Sequence, residues 1–444
     1  MSVNIDDIIP PYSMIINFLE GYLNKKIKVK NTVATFLKKI EEEDEIYRSV
    51  LHLNENAIDT AKKLDQYVID HNKLKGRLHG IPFFVKANMK TNDMLPTSCG
   101  SLVLEDFFAD ADASVIEWLV KEGAVLLGKT NMSEFSNYLS NNSNSGYSSL
   151  GGQTISVFGK DFQVGGSSSG SAVAVAASFC SFSIGSETDG SIVYPAAHNG
   201  VYAFKFNSKK ISKKGIIGIS NFFDSIGFFT KELIDLKYLV GLNCDLNISA
   251  VDSIRNVFIE ESSFYPHFQP LLIKLKNFLL FQKIGFSMGE FIEEIDPFFD
   301  YMDIICQTEF KENMKNNLPF SNEEFMEECK QKLVPNFHSD INEIERSFSS
   351  GFLNSGEYDY AINGLNELRL QKRKLMKDDQ HDLILAITLG PTEISSIANL
   401  LDLTHLVIPV KYEGVIPIGF SIMGLPDNES LTFDFAKRFG DYLK

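Results

Sequence analysis

The sequence predicts an α/β protein, and three observations carry that prediction. Residues 1–75 read as helical, short β-like runs alternate with helix-like ones from about residue 78, and two apolar runs after residue 380 read as buried strands. Alternation of this kind packs helices on a sheet in layers.

In the first segment Met14, Ile15, Ile16, Phe18 and Leu19, and later Ile58, Ala61, Leu64 and Val68, recur at three- and four-residue spacings with polar residues between. That stripe is one buried helix face. Residues 81–85 and 124–127 have the length and composition of buried strands, with a helix-like stretch at 113–121 between them. The range 136–171 is rich in Ser, Asn and Gly and too long for a passive connection, so it is expected to carry function. Residues 245–345 turn helical and acidic, most charged at 290–296 and 322–332, as a solvated helical region would be. Residues 383–389 and 406–410 read as strands returning to the sheet, and no internal repeat is visible.

With 444 residues, 44% hydrophobic and 23% charged, the chain has globular composition and room for a large core. Its net charge of −16 would repel a phosphate backbone, so contact with nucleic acid is expected only through a partner. The five cysteines are scattered, with no C-x-x-C pair and no metal-ligand spacing with histidine, which predicts a reducing compartment and no metal site. The start, MSVNIDDIIPPYS, carries two aspartates and no early arginine, unlike a signal or transit peptide as it stands. A mature organellar protein would look the same. No apolar run has the length of a membrane span, so no membrane insertion is expected.

Residues 123–130, GAVLLGKT, match the phosphate-loop pattern G-x-x-x-x-G-K-[ST]. The pattern needs a flexible turn between its glycines, yet Ala124, Val125, Leu126 and Leu127 form a strand-like apolar run there. Gly123 then reads as a helix C-cap and Gly128 as a strand end, with Lys129 and Thr130 at the surface or in a turn.

The chemistry lies further on, in VGGSSSGSAVAVAASFCSFSIGSETDGSIVYPAA, residues 164–197. A run of Gly and Ser leads into a helix-forming alanine-rich stretch, exposing backbone N–H groups at a helix start. A second turn, GSETDGS, offers Ser191 beside a flexible backbone. Two serine-bearing turns in one unit point to acyl transfer. The histidine nearest Ser191 in sequence is His198, and no Gly-x-Ser-x-Gly elbow is present, so a Ser-His-Asp triad has little support. A lysine can act as base if burial lowers its pKa, and Lys86, at the end of the apolar run 81–85, is the candidate. From the residues alone, a structural or solvated strand-end lysine is the more common case.

LHGIPFFVKAN, EGAVLLGKTNMSEF and GGSSSGSA…GSETDGSIVYPAA, in this order, resemble the amidase signature family. Within it they resemble the A-type glutaminase subunits of tRNA-dependent amidotransferases. The likeness is strong over about 75–240 and weaker but continuous outside. It implies the amidase signature fold, a central mixed β-sheet covered by helices on both faces. The helical segment 1–75 would pack on a single domain 76–444, with core motifs at 76–240, a helical insertion at about 245–380 and a C-terminal return to the sheet at 381–444.

The resemblance also implies a Ser-cisSer-Lys triad. Lys86 would be the base, Ser167 the bridging serine on a cis peptide, and Ser191 the nucleophile, with backbone N–H groups of Thr188, Asp189, Gly190 and Ser191 holding the oxyanion. The substrate would be glutamine, its α-carboxylate held by Arg346 and its amino group by Glu393. The residues leave a surface ion pair open for Arg346. The protein would belong to a heterotrimeric ligase of protein biosynthesis. Ammonia would pass to a B-type partner that carries ATP and Mg and converts Glu-tRNA(Gln), beside a third small partner of C type or a replacement. This chain would carry no cofactor and would meet tRNA mainly through its partners. Its abbreviated central and C-terminal regions suggest a divergent form in the mitochondrial matrix, otherwise the cytoplasm.

Three positions depart from the family pattern. Asp189 stands for the first of two glycines before Ser191, Val193 for a common arginine, and Ser169 for a signature glycine. Asp189 is expected to reach left-handed backbone angles and to bring a carboxylate close to the oxyanion site. These changes keep open a weakly active assembly protein, as well as a stand-alone amidase of the same fold.

Overall fold

The computed structural model describes residues 13–244, 246, 254–291, 295–334, 336–390, 393–412 and 416–444. The described residues open with helices Met14–Leu23, Val29–Tyr47 and Ala57–His71; the first and third carry the apolar positions read from the sequence, with Ile15, Ala61, Leu64 and Val68 buried. Between the second and third lies β1 (Val50–Leu53), which the stripe gave no hint of.

The remaining strands are β2 (Pro82–Lys86), β3 (Val125–Thr130), β4 (Tyr147–Ser148), β5 (Gly152–Gln153), β6 (Phe182–Glu187), β7 (Tyr202–Lys205), β8 (Ser225–Thr230), β9 (Asn256–Glu260), β10 (Gly285–Gly289), β11 (Leu383–Thr388), β12 (Thr404–Tyr412) and β13 (Ile416–Gly424). Except for the small β4–β5 pair, all join one 11-stranded sheet in the order β1-β3-β2-β6-β8-β7-β12-β13-β11-β9-β10. β3, β2 and β6 run parallel, while β8, β7, β12, β13 and β11 continue the sheet antiparallel. The sheet is therefore mixed. The expected insertion is not wholly helical either, because β9 and β10 form the far edge of the sheet as a parallel pair. Residues 292–294 of the acidic stretch lie outside the described residues.

Alternation along the central strands shows why both faces need cover. In β11, Leu383, Leu385 and Ile387 enter one apolar core, while Ile384 and Ala386 enter a second. The first core is closed by the N-terminal helices with Gln269–Gln282 and Glu429–Leu443, and the second by Asp296–Asn317, Asn322–Leu333, Gly356–Asp378 and Glu393–Leu400. Burying a Leu, Ile or Phe side chain contributes roughly 1.5–3 kcal/mol, and most such residues of the parallel strands are fully enclosed, with Phe83 stacked on Phe182 at 5.2 Å.

The structure decides the reading of GAVLLGKT. The strand does not stop at Gly128 but runs through Lys129 and Thr130, both fully buried. This corrects their expected place at the surface or in a turn, and the cause is β1, which covers β3 from the other side. Gly128 sits where β1 passes closest, since a Cβ there would lie 2.0 Å from the carbonyl oxygen of His52. The Lys129 ammonium donates to Met89 O at 2.6 Å and Thr97 Oγ1 at 3.0 Å. It is a core lysine with protein partners.

Candidate active site

The carboxyl ends of parallel strands are where an α/β sheet offers an open crevice. Lys86 is the last residue of β2, and β6 ends one strand away at Glu187, so residues 188–191 leave the sheet beside Lys86. The Gly165–Gly166 turn brings Ser167 into the same space at the start of helix Ser169–Ala176. Gly166 has no room for a side chain, since a Cβ would lie 2.4 Å from Ser133 Oγ, and its peptide to Ser167 is cis. Ser167 O accepts from Ser133 N at 3.0 Å, and Ser191 O from Ser168 N at 3.1 Å, which ties the two turns together.

The three predicted side chains form one continuous path. Lys86 Nζ is 2.7 Å from Ser167 Oγ, and Ser167 Oγ is 2.9 Å from Ser191 Oγ. Each hydroxyl can donate and accept, so a proton can pass either way. Lys86 also donates to Ser186 O at 3.0 Å and Ser186 Oγ at 3.1 Å, and Asn88 Nδ2 holds that hydroxyl at 3.0 Å. Complete burial lowers the lysine to about 7, opposed by the negative charge of Asp224. Burial in turn pushes Asp224 up to about 6. Asp224 accepts from Thr188 Oγ1 at 2.6 Å and from the N–H of Ile219 at 2.9 Å, anchoring the base of the turn.

Among the described residues, the backbone N–H groups of Thr188, Asp189, Gly190 and Ser191 have no internal acceptor. They stand beside the hydroxyl of Ser191, a residue that is 8% exposed, ready to bind an anion. Gly190 takes the positive φ of +80° that the turn requires, and Asp189 does not take a left-handed conformation. Nor does its carboxylate point at the hydroxyl. It accepts from Ser395 Oγ at 2.6 Å, Ser396 Oγ at 3.1 Å and Asn399 Nδ2 at 2.9 Å, all on helix Glu393–Leu400. Both expectations for Asp189 are thus corrected, because a helix about 200 residues away turns the side chain outward. The turn keeps some exposure while the carboxylate is enclosed, and this desolvation raises it to about 7. Val193 is buried and opens helix Val193–Asn199, its N–H held with that of Ile192 by Glu187 Oε2. Ser169 begins its own helix, fully enclosed.

Of the predicted substrate residues, Arg346 makes its hydrogen bonds outside this cluster. Arg346 is about half exposed and donates to Glu343 at 2.8 Å and Asp303 at 2.6 Å. Glu393 opens helix Glu393–Leu400, and its side chain lies outside the described residues. The loop 136–171 borders a polar cavity of about 360 Å³ whose walls include Asn142, Asn144, Tyr147 and His338. A larger apolar cavity of about 990 Å³, with Leu233, Leu271 and Phe433 in its walls, contains none of the triad residues. Sequence reading missed Ser186, Asn88, Asp224 and the trio on the distant helix. Ser186 and Asn88 had a local signal, since they lie inside the quoted segments GSETDGS and LHGIPFFVKAN.

Comparison with known proteins agrees with this fold. Residues 31–253 match the family model described as Amidase. The chain is 39% identical over 249 residues to the A-type component of the glutamyl-tRNA(Gln) amidotransferase of Staphylococcus aureus, covering 55% of this chain and 50% of that protein. It therefore spans about half the length of the curated relatives it matches. Among solved structures, native peptide amidase from Stenotrophomonas maltophilia superposes with a TM-score of 0.89 at 26% identity, over 98% of both chains. An amidase family protein from Bacillus anthracis gives 0.85 at 26% identity, over 100% of this chain and 94% of that one.

Proposed function

The chain belongs to the amidase family, and from that premise we propose that it hydrolyses a primary carboxamide with Ser191 as nucleophile, Ser167 as proton relay and Lys86 as base. The observation that carries this reading is the path from Lys86 through Ser167 to Ser191 at 2.7 and 2.9 Å, with unpartnered N–H groups beside its end. Neutral Lys86 accepts a proton from Ser167, which accepts one from Ser191, and Ser191 Oγ bonds to the amide carbon. The carbonyl oxygen takes the negative charge and the N–H groups of residues 188–191 receive it, each such donor contributing about 3–4 kcal/mol in sites of this kind. As the C–N bond breaks, the proton returns along the relay to the nitrogen and ammonia leaves. Water then adds to the Ser191 ester, gives its proton to the same relay, and releases the carboxylic acid.

For the substrate, we favour the amide of a peptide, hydrolysed by this chain alone. The similarity to peptide amidase runs over nearly the whole of both chains, and Arg346 already has two carboxylate partners. The 39% identity to the amidotransferase component favours a second reading, in which glutamine is the amide donor and a B-type partner holding ATP and Mg consumes the ammonia.

The test is ammonia release by the purified chain from N-acetyl-phenylalaninamide and from glutamine, beside Ser191→Ala. Turnover of the peptide amide without a partner, absent in the variant, supports the favoured reading. Glutamine turnover that appears only with a partner supports the second, and full activity of Ser191→Ala overturns the assignment of the nucleophile.

A further inference from the structure

The N–H groups that would receive the oxyanion are useful only if their turn is held still before the reaction. A glycine at position 189 would leave the turn free to rotate, whereas this chain has a carboxylate there that reaches across to another helix. Three donors meet it: the hydroxyls of Ser395 and Ser396 and the amide of Asn399. Asn399 is fixed from its other end, its Oδ1 accepting from Lys205 Nζ at 2.5 Å. Lys205 faces Glu187 at 3.8 Å, both side chains buried. Glu187 Oε2 holds the N–H groups of Ile192 and Val193 at 2.6 and 3.1 Å. The connections thus close a ring, from Asp189 through Asn399, Lys205 and Glu187 to the far side of Ser191.

We propose that Asp189 is a positioning residue for the oxyanion turn, clamping it through Ser395, Ser396 and Asn399 so that its N–H groups converge where charge develops on the substrate. The inference rests on the reading of Ser191 as nucleophile. It assigns helix Glu393–Leu400 a part in catalysis without contact with the reacting atoms. Since the clamp sets geometry needed in the transition state more than in substrate binding, its loss lowers kcat and leaves KM nearly unchanged.

The test compares Asp189→Ala, Asp189→Asn and the double variant Ser395→Ala/Ser396→Ala with the wild type and Ser191→Ala, using ammonia release from N-acetyl-phenylalaninamide. Misplacing catalytic groups by about 1 Å costs on the order of 100-fold. Asp189→Ala should therefore lose roughly 10- to 100-fold in kcat with KM within threefold. Asp189→Asn, whose oxygen can accept from Ser395 and Asn399 while its NH2 donates to Ser396 Oγ, should recover most of the rate. The double serine variant, which creates no new buried charge, should lose about tenfold even if Asp189→Ala does not fold. An Asp189→Ala enzyme with kcat within threefold of wild type overturns the proposal, as does an equal loss in Asp189→Ala and Asp189→Asn, or a double serine variant at wild-type rate. Activity in Ser191→Ala would instead overturn the reading on which it rests.

Discussion

The buried lysine makes the most quantitative prediction. A solvated lysine has a pKa near 10.5, and burial brings Lys86 to about 7. At pH 7 about half of the molecules then carry a neutral base, against about one in 3,000 for the solvated group, a gain of roughly 10³ or 4–5 kcal/mol. That lies within the ~10²–10⁴ a positioned general base supplies. The sign follows directly. Below about 7 Lys86 is protonated, so kcat/KM should fall tenfold per pH unit on the acid side and level off above. Asp224 opposes the shift, because its negative charge favours the ammonium. Asp224→Asn should thus move the acid limb to lower pH, by about one unit for a charge effect on the order of 1–2 kcal/mol at an effective dielectric of about 20. The amide oxygen can accept from the Ile219 N–H while its NH2 donates to Thr188 Oγ1, so the plateau should stay within about fivefold. The assay is initial ammonia release from N-acetyl-phenylalaninamide from pH 5.5 to 9. A limb that does not move, or moves upward, refutes the electrostatic account of Lys86, and a flat profile refutes its role as base.

Other expectations separate the chemistry from the scaffold. Replacing Lys86 by Ala should cost ~10³–10⁴ in kcat; activity near that of the wild type would remove it from the mechanism. Lys129→Ala should lower stability by roughly 2–4 kcal/mol, since it leaves a cavity and strands two buried acceptors, and a thermal melt indistinguishable from wild type would contradict the core placement. Gly128→Ala should also destabilise, by about 2–4 kcal/mol as β1 is forced away from β3, which chemical denaturation can measure. Arg346→Ala should leave peptide-amide turnover unchanged and stability within about 1 kcal/mol, as expected for exposed ion pairs; a raised KM confined to glutamine would favour the glutaminase reading.

What the sequence disclosed follows the range of the interactions involved. Residues 164–197 pack two turns and the intervening helix and strand into one local unit, so Ser167 and Ser191 are legible together, and the end of an apolar run marks Lys86. Helical stripes announce themselves because each turn repeats its own evidence. Four-residue β1 has no such repetition, and its presence is what turns Lys129 from an expected surface residue into a core one. The acidic texture of the insertion likewise hides β9 and β10 at the sheet edge, where half-buried strands need no long apolar run.

Asp189 marks the limit of local reading most clearly. By turn chemistry an aspartate in place of a flexible glycine beside an anion-binding hydroxyl looks like damage, because a nearby carboxylate would repel the oxyanion. That inference fails because an unfavourable residue can be compensated from anywhere the fold reaches. Here the compensation is spread over Ser395, Ser396 and Asn399, more than 200 residues along the chain, on a helix of which the sequence reading singled out Glu393 but none of these three. The same helix is capped at its carboxyl end by Arg369, which donates to Leu400 O at 2.6 Å and Asn399 O at 3.1 Å. The helix is thereby fixed in place before it fixes the turn. A departure from a family pattern therefore has to be judged on where its side chain goes: the one at 189 points away from the chemistry, into a partner set that matches a carboxylate.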